Sequence, residues 1–451
     1  MEAKAYYLVG IGGIGMSAIA RYLKEEGKRV FGYDRVCTEL TKELEQEGIE
    51  IVYEDDSSHI AGLNIDEVIY TPAVPSDSEI LKYVREKGLP LFKRSEALGR
   101  ITRNKKTIAI AGTHGKTTTA GLTAHILKNS RLGCSAFLGG ISNNYSTNFL
   151  INHSSDYVVV EADEYDRSFL RLTPFISLIT SIAADHLDIY GDLNNLEQAF
   201  AQFAGLTGES GRLLLKKNLP VKIHSRAAKT TYSLTDVNAD YHASNIRVNQ
   251  GAYYFDLHTP NKVYKDMKMT YPGRHNIENA VAASAVALLL GVNEHELRES
   301  LATFMGMKRR FDLRIKTDKT IYYDDYAHHP QEIEATVKSL KELYPDKRIC
   351  GVFQPHLYSR TRDFADEFAK ALELMEVVIL LPIYPAREEP IEGISSNTIL
   401  ERISKSDKYY VEKDRLLPLL KTLHPELLLT LGAGDIDRFV EPITQMIRAN
   451  E

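Results

Sequence analysis

A chain of 451 residues exceeds the size at which a single hydrophobic core keeps growing, so two or three domains are expected. Its 43% hydrophobic and 26% charged residues are typical of folded globular proteins and exclude a disordered or fibrous chain. The formal net charge of −6 comes without clustered basic residues, which argues against nucleic acid as a partner.

The cysteines and the apolar segments bear on the cellular compartment. Cys37, Cys134 and Cys350 are far apart in the sequence, which predicts neither a disulfide framework nor a thiolate zinc site and favours a reducing cytoplasm. The amino-terminal segment lacks the features of a signal peptide. The longest apolar run, residues 280–292, is too short to cross a bilayer, so we expect a buried helix there and no membrane insertion.

The first hundred residues alternate between strand-like and helix-like patterns. Strands are predicted at 6–9 and 29–33, and helices at 17–26 and 39–47. This alternation predicts βαβ units and a parallel sheet. The proline-containing segment 71–79 reads as a loop at a strand end, where ligands commonly bind.

A GxGxxG motif follows the first predicted strand directly, and Asp34 ends the next strand. The motif consists of Gly10, Ile11, Gly12, Gly13, Ile14 and Gly15. Its glycines let the backbone approach a diphosphate, the next helix supplies amide donors, and an acid at the position of Asp34 can meet a ribose hydroxyl. The pattern predicts a diphosphate nucleotide without saying which one, and an unliganded strand-to-helix turn is the structural alternative.

A second strand, predicted at 107–111, restarts the α/β pattern and sets a domain boundary near residue 105. It opens into a phosphate-binding loop formed by Gly112, Thr113, His114, Gly115, Lys116, Thr117 and Thr118. Lys116 suits the β- and γ-phosphates of ATP, and the Thr117 hydroxyl suits Mg²⁺. The loop departs from the strict GxxxxGK[ST] pattern because Ile110 stands in place of the first glycine, and an unliganded glycine turn is the alternative.

Carboxylates follow the strand predicted at 157–160, beginning with Glu161. Another strand, predicted at 175–182, leads to His186 and two further carboxylates in the segment 185–188. Because the carboxyl ends of parallel strands share one edge of a sheet, these groups predict a metal site. Caps or polar loop residues are the alternative for Glu161 and His186 when each is taken singly.

A third α/β pattern begins after Phe311, after a β-rich stretch at about 213–268. Its strands are predicted at 320–323, 348–353, 377–381 and 427–431. The predicted fold class is therefore α/β with three domains. These are a Rossmann-like N-terminal domain over 1–105, a central P-loop ATPase domain with a parallel sheet over 106–311, and a C-terminal Rossmann-like α/β domain over 312–451.

Two nucleotide-type loops in one chain discriminate between classes of function. A nicotinamide-dependent dehydrogenase needs only the first loop, and a simple P-loop ATPase needs only the second. An enzyme that phosphorylates a carboxylate on a nucleotide-linked substrate uses both. The combination favours a ligase, and a dehydrogenase and a non-catalytic nucleotide-binding protein stay open as alternatives.

Eight motifs occur along the chain in one order: GIGGIGMS at 10–17, GTHGKTTT at 112–119, EADE at 161–164, DHLDIYG at 185–191, PGRHNIENA at 272–280, DDYAHHP at 324–330, FQPHLYSRTR at 353–362 and LGAGDI at 431–436. In these motifs the chain resembles the Mur ligase family over essentially its whole length. The resemblance implies a UDP-binding domain, a central ATPase domain and a C-terminal domain that helps to bind amino acid and ATP. It also implies that ATP phosphorylates a UDP-muramyl carboxylate, which an amine then attacks to form an amide.

The resemblance also implies roles for residues at matching positions around the phosphates. Thr117 would bind one Mg²⁺, and Glu161 and His186 would hold a second. Lys116 would supply positive charge, so Lys116, Glu161 and His186 are the expected catalytic residues.

Further matches concern ATP and the amino acid. Asn276, Arg310 and Asp325 correspond to positions that contact ATP, with Asp325 at the ribose. His328 and Arg360 correspond to positions that recognise the incoming amino acid, whose carboxylate suits a guanidinium. Helix caps and surface ion pairs are the alternative interpretations.

Two positions bear on the branch of the family. Phe200 stands where the ligases that add later residues have a carbamylated lysine, which favours the branch that joins L-alanine to UDP-N-acetylmuramic acid. Leu357 stands where some relatives have arginine. The competing branch attaches an intact tripeptide to the same sugar nucleotide. We expect a protein of the bacterial cytoplasm that is a monomer or weak homodimer and closes its domains around substrate.

Overall fold

The computed structural model describes residues 3–183, 187–249, 251–386 and 388–449. This part of the chain contains three sheets with helices packed on them, so the expected three-domain α/β fold class is confirmed. The chain forms two compact units. The first comprises Met1–Ile246, Phe255–Lys268 and Glu278–Met305, and the second comprises Arg247–Tyr254, Met269–Ile277 and Gly306–Glu451.

The first sheet has five parallel strands: β1 (Ala5–Val9), β2 (Arg29–Tyr33), β3 (Glu50–Val52), β4 (Glu67–Tyr70) and β5 (Leu91–Lys93). Its helices are α1 (Ile14–Glu25), α2 (Glu39–Gln46), α3 (Ser58–Ala61), α4 (Glu79–Glu86) and α5 (Arg94–Thr102). The strand order is β3-β2-β1-β4-β5. Because the order reverses between β1 and β4, a crevice for ligands opens at their carboxyl ends.

The second sheet has ten strands: β6 (Lys106–Ala111), β7 (Ser135–Ser142), β8 (Thr147–Leu150), β9 (Tyr157–Glu161), β10 (Pro174–Ile179), β11 (Arg212–Lys216), β12 (Ala228–Ser233), β13 (Tyr241–Asn249), β14 (Ala252–His258) and β15 (Val263–Met269). Its helices are α6 (Lys116–Lys128), α7 (Leu187–Tyr190), α8 (Leu193–Gly205), α9 (Arg274–Leu289), α10 (Glu294–Thr303) and a 3₁₀ helix, Tyr165–Arg171. The strand order is β15-β14-β13-β12-β11-β10-β6-β9-β7-β8. β6 lies between β9 and β10 and is parallel to both, so the loops after these three strands meet at one edge.

The third sheet has six strands: β16 (Asp312–Lys316), β17 (Ile321–Asp325), β18 (Ile349–Phe353), β19 (Val377–Leu380), β20 (Lys408–Tyr410) and β21 (Leu427–Leu431). Its helices are α11 (Pro330–Leu343), α12 (Tyr358–Asp363), α13 (Ala365–Leu372), α14 (Asn397–Leu400), α15 (Leu416–Leu423) and α16 (Val440–Ala449), with 3₁₀ helices at Lys413–Arg415 and Asp435–Phe439. The order is β16-β17-β21-β18-β19-β20, and only the β16–β17 pairing is antiparallel.

Most strands lie where the sequence pattern predicts them, because continuous apolar runs mark strands that are buried on both faces of a parallel sheet. The apolar run at 280–292 falls largely in α9, whose residues 280–287 are all buried. The antiparallel hairpin of β7 and β8 was not predicted. Within the four described ranges, no helix is both long and apolar enough to cross a membrane.

Candidate active site

The phosphate-binding loop joins β6 to α6 and has the backbone shape that its glycines permit. Gly112 (φ +135°) and Gly115 (φ +85°) lie in the positive-φ region, and Gly115 is the N-cap of α6. A Cβ on Gly112 would overlap the Thr180 hydroxyl. The segment after β10 braces the loop, since the amide of Thr113 donates to Ser181 O (3.1 Å) and the amide of His114 donates to Ser181 Oγ (2.8 Å). The first turn of α6 therefore presents its amides at a fixed loop, as phosphate binding requires.

The ammonium group of Lys116 is held by a buried carboxylate. Lys116 Nζ donates to Glu164 Oε1 (2.8 Å) and Gly112 O (2.6 Å). Glu164 is only 1% exposed, and the Tyr190 hydroxyl fixes its backbone by donating to its carbonyl oxygen (2.5 Å). Burial by itself would lower the pKa of Lys116, but the nearby carboxylates, Glu164 foremost, outweigh burial and raise it. Lys116 is therefore a permanent positive charge beside the loop.

Glu161 joins the end of β9 to the first turn of α6. Its Oε1 accepts from the Thr117 hydroxyl (3.0 Å), and its Oε2 accepts from the amide of Gly139 on β7 (3.1 Å). A Cβ on Gly139 would overlap the Glu161 carboxylate. The predicted metal ligands Thr117 and Glu161 are thus in direct contact, whereas His186 lies outside the described residues.

Three neighbours of this site had no assigned role in the sequence: Gly139, Glu164 and Asn279. Asn279 Oδ1 accepts from the Thr119 hydroxyl (3.1 Å), and a Cβ on Gly115 would lie 2.8 Å from the same oxygen. The signal for Asn279 was its place in PGRHNIENA, three residues after Asn276. Thr118, which the sequence placed in the ATP site, is buried in the first turn of α6.

The glycine loop after β1 has the expected close approaches. Gly10 has φ +84°, and a Cβ there would overlap the side chain of Thr71, in the proline-containing loop. Ile11 is fully buried, and Gly13 is the N-cap of α1, so Ile14 and Gly15 begin that helix. The loop and the amide end of α1 therefore lie at the crevice between β1 and β4.

Asp34 supports this loop from within. Its Oδ2 accepts from the amide of Gly12 (2.8 Å), and its Oδ1 accepts from the amide of Val36 (3.1 Å). A Cβ on Gly12 would lie 2.9 Å from Asp34 Oδ2, so glycine is needed for this approach. The contact of Asp34 with a ribose hydroxyl stays a prediction, and its bond to Gly12 is an additional role.

The other predicted ATP residues belong to the second compact unit. Asp325 ends β17, and its Oδ2 accepts from the Thr336 hydroxyl (2.5 Å). Burial raises the pKa of Asp325 to about 6, although that hydrogen bond and the charge of Arg310 oppose the rise. The Arg310 guanidinium lies 4.9 Å from the ring centroid of Tyr326. Asn276, 1% exposed at the start of α9, donates from Nδ2 to Pro272 O (2.5 Å).

His328 and Arg360 also belong to the second compact unit, and the charge of Arg360 acts on the His328 imidazole. His328 Nδ1 lies 3.0 Å from Tyr326 O, and burial lowers the pKa of His328, with the positive charge of Arg360 acting in the same direction. Arg360 Nη1 is buried and has no hydrogen-bond partner in the part of the chain that the structure describes. Leu357, just before α12, has φ +70°. A guanidinium with an unsatisfied buried donor beside a neutral imidazole suits a small anionic ligand such as a carboxylate.

A glycine-loop domain, a phosphate-loop domain with paired carboxylates and a third α/β domain together define a nucleotide-dependent ligase fold. The chain belongs to the Mur ligase family. The profile of its catalytic domain matches residues 5–106, that of the middle domain matches 110–287, and that of the glutamate ligase domain matches 309–434.

Relatives share the whole length of the chain. The UDP-N-acetylmuramate–L-alanine ligase of Christiangramia forsetii is 47% identical over 449 residues, covering 98% of each chain. Among solved structures, the UDP-N-acetylmuramate–alanine ligase of Thermotoga maritima has a TM-score of 0.84 and 29% identity, covering 100% of both chains. A murein peptide ligase of Psychrobacter arcticus shares the fold, with a TM-score of 0.69 and 20% identity over 99% of this chain and 98% of its own.

Phe200 bears on the branch of the family. It is fully buried on α8 and packs edge-on against Phe169, with ring centroids 5.4 Å apart. Phenylalanine has no amine that could be carbamylated. The buried Phe200 is therefore consistent with the alanine-adding branch, which the sequence favoured over the ligases that add later residues.

Proposed function

We propose that this chain joins L-alanine to UDP-N-acetylmuramic acid with hydrolysis of ATP, as a UDP-N-acetylmuramate–L-alanine ligase of peptidoglycan precursor synthesis. One observation carries the proposal. A phosphate loop whose lysine and threonine contact paired carboxylates occurs in a chain that matches alanine-adding ligases from end to end. The enzyme is an ATP-dependent carboxylate–amine ligase.

The chemistry has two parts. The carboxylate of UDP-N-acetylmuramic acid attacks the γ-phosphate of ATP, which gives an acyl phosphate and ADP. The amine of L-alanine then attacks the acyl carbon, and phosphate leaves as the amide forms. A free carboxylate is a poor acyl donor, so the first part creates the leaving group that the second part needs.

Lys116 and the α6 amide end would bind the β- and γ-phosphates. Their positive charge offsets the negative charge that develops on the transferred phosphoryl group. Because Lys116 Nζ is bonded to Glu164, a bound triphosphate must take the ammonium group from that carboxylate. ATP binding and breaking of the Lys116–Glu164 ion pair are therefore coupled.

The residues at the end of β9 fit a divalent cation, and we propose Mg²⁺. Glu161 and the Thr117 hydroxyl are oxygen donors in contact, and Glu164 Oε2 is buried without a hydrogen-bond partner among the described residues. An unsatisfied buried carboxylate oxygen is costly unless a cation or donor meets it. Bound there, the ion would supply positive charge that offsets the negative charge of the transferred phosphoryl group. His186, which lies outside the described residues, is a further proposed ligand: Thr117 would bind one Mg²⁺, and Glu161 and His186 would hold a second.

We assign the remaining ligands by their elements. The glycine loop and Asp34 would bind the UDP part of the substrate. Asn276, Arg310 and Asp325 would bind ATP. His328 and Arg360 would bind L-alanine, because the buried Nη1 of Arg360 offers a donor to the amino acid carboxylate and His328 is neutral at pH 7.

The test is phosphate release from ATP in the presence of UDP-N-acetylmuramic acid, with L-alanine, glycine, L-serine and tripeptide compared as acceptors. We expect the highest kcat/KM with L-alanine. Turnover with tripeptide alone would assign the chain to the murein-recycling branch. Nicotinamide oxidation without ATP consumption would instead indicate a dehydrogenase.

We also propose domain boundaries near residues 105 and 311, giving domains over 1–105, 106–311 and 312–451. Limited trypsin digestion should cleave near residue 311 before residue 105, because the first two sheets share a compact unit. We propose the bacterial cytoplasm as the compartment, which three unpaired cysteines fit. A monomer or weak homodimer is expected in sedimentation equilibrium.

A further inference from the structure

A buried amide of the second sheet holds the first turn of the helix that follows the glycine loop. Asn148 on β8 is 0% exposed, and its Nδ2 donates to Ile14 O (2.5 Å) and Ser17 Oγ (2.9 Å) on α1. Ser17 Oγ in turn donates to Ile14 O (3.0 Å). A buried amide is stable only when it is hydrogen-bonded, so these contacts constrain both elements.

The other end of the same amide binds a buried arginine. Asn148 Oδ1 accepts from Arg21 Nη1 (2.6 Å), and Arg21 is 7% exposed. The guanidinium also donates from Nη2 to Glu43 Oε2 (3.0 Å) on α2 and from Nε to Oε1 of Glu47 (2.9 Å), the C-cap of α2. Asn148 is thus bonded to α1 directly and to α2 through Arg21.

Apolar contacts surround this polar cluster on the same faces. Tyr22 of α1 packs against Phe137 of β7 (ring centroids 5.7 Å apart) and Phe149 of β8 (6.2 Å). The rings belong to a core that includes buried residues of α1 and of the second sheet. The junction between the first two sheets therefore combines an apolar core shared by both with a hydrogen-bonded polar cluster around the buried Asn148 and Arg21.

The same hairpin also reaches the phosphate site. β7, which pairs with β8, carries Gly139, whose amide donates to Glu161 Oε2 (3.1 Å). The β7–β8 hairpin therefore contacts two elements. One is α1, which follows the glycine loop, and the other is Glu161, a predicted cation ligand. The two nucleotide loops are linked through β7 and β8.

We propose that Asn148 is a positioning residue that sets the UDP-substrate loop at a fixed distance and angle from the ATP phosphates. The inference rests on the proposed function. Asn148 contacts the glycine motif only at the backbone carbonyl of Ile14, the first residue of α1, and makes no hydrogen bond to the phosphate loop in the described structure, so it acts through α1 on one side and β7 on the other. Its loss should leave each nucleotide site intact and misalign the two reacting groups.

The decisive variant is Asn148→Asp, which keeps the shape and the acceptor for Arg21 and loses the donor to Ile14 O. We expect the Kd of UDP-N-acetylmuramic acid and of ATP, by calorimetry, to stay within about threefold of wild type, while kcat falls by roughly tenfold to a hundredfold, because small misplacements of reacting groups cost this much. If Asn148 contributes only to stability, the variant should have a lower melting temperature and a smaller fraction of folded enzyme, while kcat per folded enzyme and both Kd values stay at the wild-type level.

Asn144→Ala is the matched control. Asn144 lies in the turn of the same hairpin and makes two hydrogen bonds, donating to Thr303 O (2.8 Å) and accepting from the amide of Met305 (2.8 Å), but it contacts no residue of α1 in the described structure. We expect it to change stability with kcat per folded enzyme unchanged.

Ser17→Ala gives a second, milder test that does not strain the fold, and we expect a fall in kcat of about threefold or more. Wild-type kcat per folded enzyme in both Asn148→Asp and Ser17→Ala would overturn the positioning role. So would an Asn148→Asp variant that loses UDP-substrate affinity in proportion to kcat. Absence of alanine ligation by the wild-type enzyme would refute the proposed function instead, so the two failures are distinguishable.

Discussion

Replacing Glu164 by Gln tests whether this carboxylate holds Lys116 until ATP arrives. The Nζ to Oε1 distance is 2.8 Å, and the side chains are 13% and 1% exposed, so the pair is largely shielded from water. Removing one charge from a buried pair costs about 3 to 5 kcal/mol, and we expect about 3 kcal/mol because Lys116 keeps its bond to Gly112 O. The free energy of unfolding without nucleotide should fall by that amount, measured by urea denaturation.

The same substitution should strengthen ATP binding, because phosphate no longer competes with Glu164 for the ammonium group. A difference of about 3 kcal/mol corresponds to about a hundredfold in Kd, and we expect at least about tenfold tighter binding of ATP. Calorimetry should use ATP without divalent cation, since Glu164 Oε2 is also a proposed donor to the ion. Removing the cation isolates the competition for Lys116.

Asp163→Asn is the matched control for Glu164→Gln. Asp163 belongs to the same acidic segment and pairs with Arg94 (3.6 Å), with no hydrogen bond to Lys116 in the described structure. We expect its metal-free ATP affinity to stay near that of wild type. If Glu164→Gln lowers stability and leaves the affinity for metal-free ATP unchanged, Glu164 does not compete with phosphate and the reasoning is refuted.

Three further predictions concern other parts of the site. Lys116→Ala should lower kcat by roughly a hundredfold or more, with the calorimetric Kd of UDP-N-acetylmuramic acid unchanged, because the proposed ligand of the lysine is the ATP phosphates and not the UDP substrate; an active variant would remove its proposed role. Gly139→Ala should lower kcat by about tenfold or more, because the new methyl group displaces Glu161, whereas Gly62→Ala, with nothing within 4 Å, should retain wild-type activity. If Gly139→Ala is as active as Gly62→Ala, the position of the Glu161 carboxylate against β7 is not required for activity. Burial raises the pKa of Asp325 to about 6, so the stability that its protonated form contributes is fully present below about pH 4 and is lost as the pH rises through about 6. Asp325→Asn should therefore gain up to about 3 kcal/mol of unfolding free energy relative to wild type between about pH 4 and pH 7, measured by urea denaturation; a pH-independent difference would show that Asp325 is ionised throughout.

The positions of both nucleotide loops followed from local sequence. Each loop requires glycines at particular backbone angles, and each stands between an apolar strand and a helix, so its location depends on neighbours within a few residues. The end of β9 at Glu161 was predictable for the same reason. Together with the motif resemblance, these local patterns determined the fold class and the class of chemistry.

Contacts between distant segments could be found only in the tertiary structure. Three hydrogen bonds of the site join residues that are more than twenty positions apart: Gly12 to Asp34, Gly139 to Glu161, and Lys116 to Glu164. Local periodicity says which face a side chain occupies, but not which residue of another strand lies opposite it.

Asn148 shows this limit most clearly. In the sequence it is one polar residue in the strand TNFL, where a solvent-exposed position would be the ordinary interpretation. Only the packing of β8 against α1 buries it and brings Ile14, 134 residues away, within hydrogen-bond distance. The sequence by itself predicted where the two candidate nucleotide loops lie, and tertiary packing decided how those loops are held relative to each other, because that geometry depends on side chains meeting across two sheets.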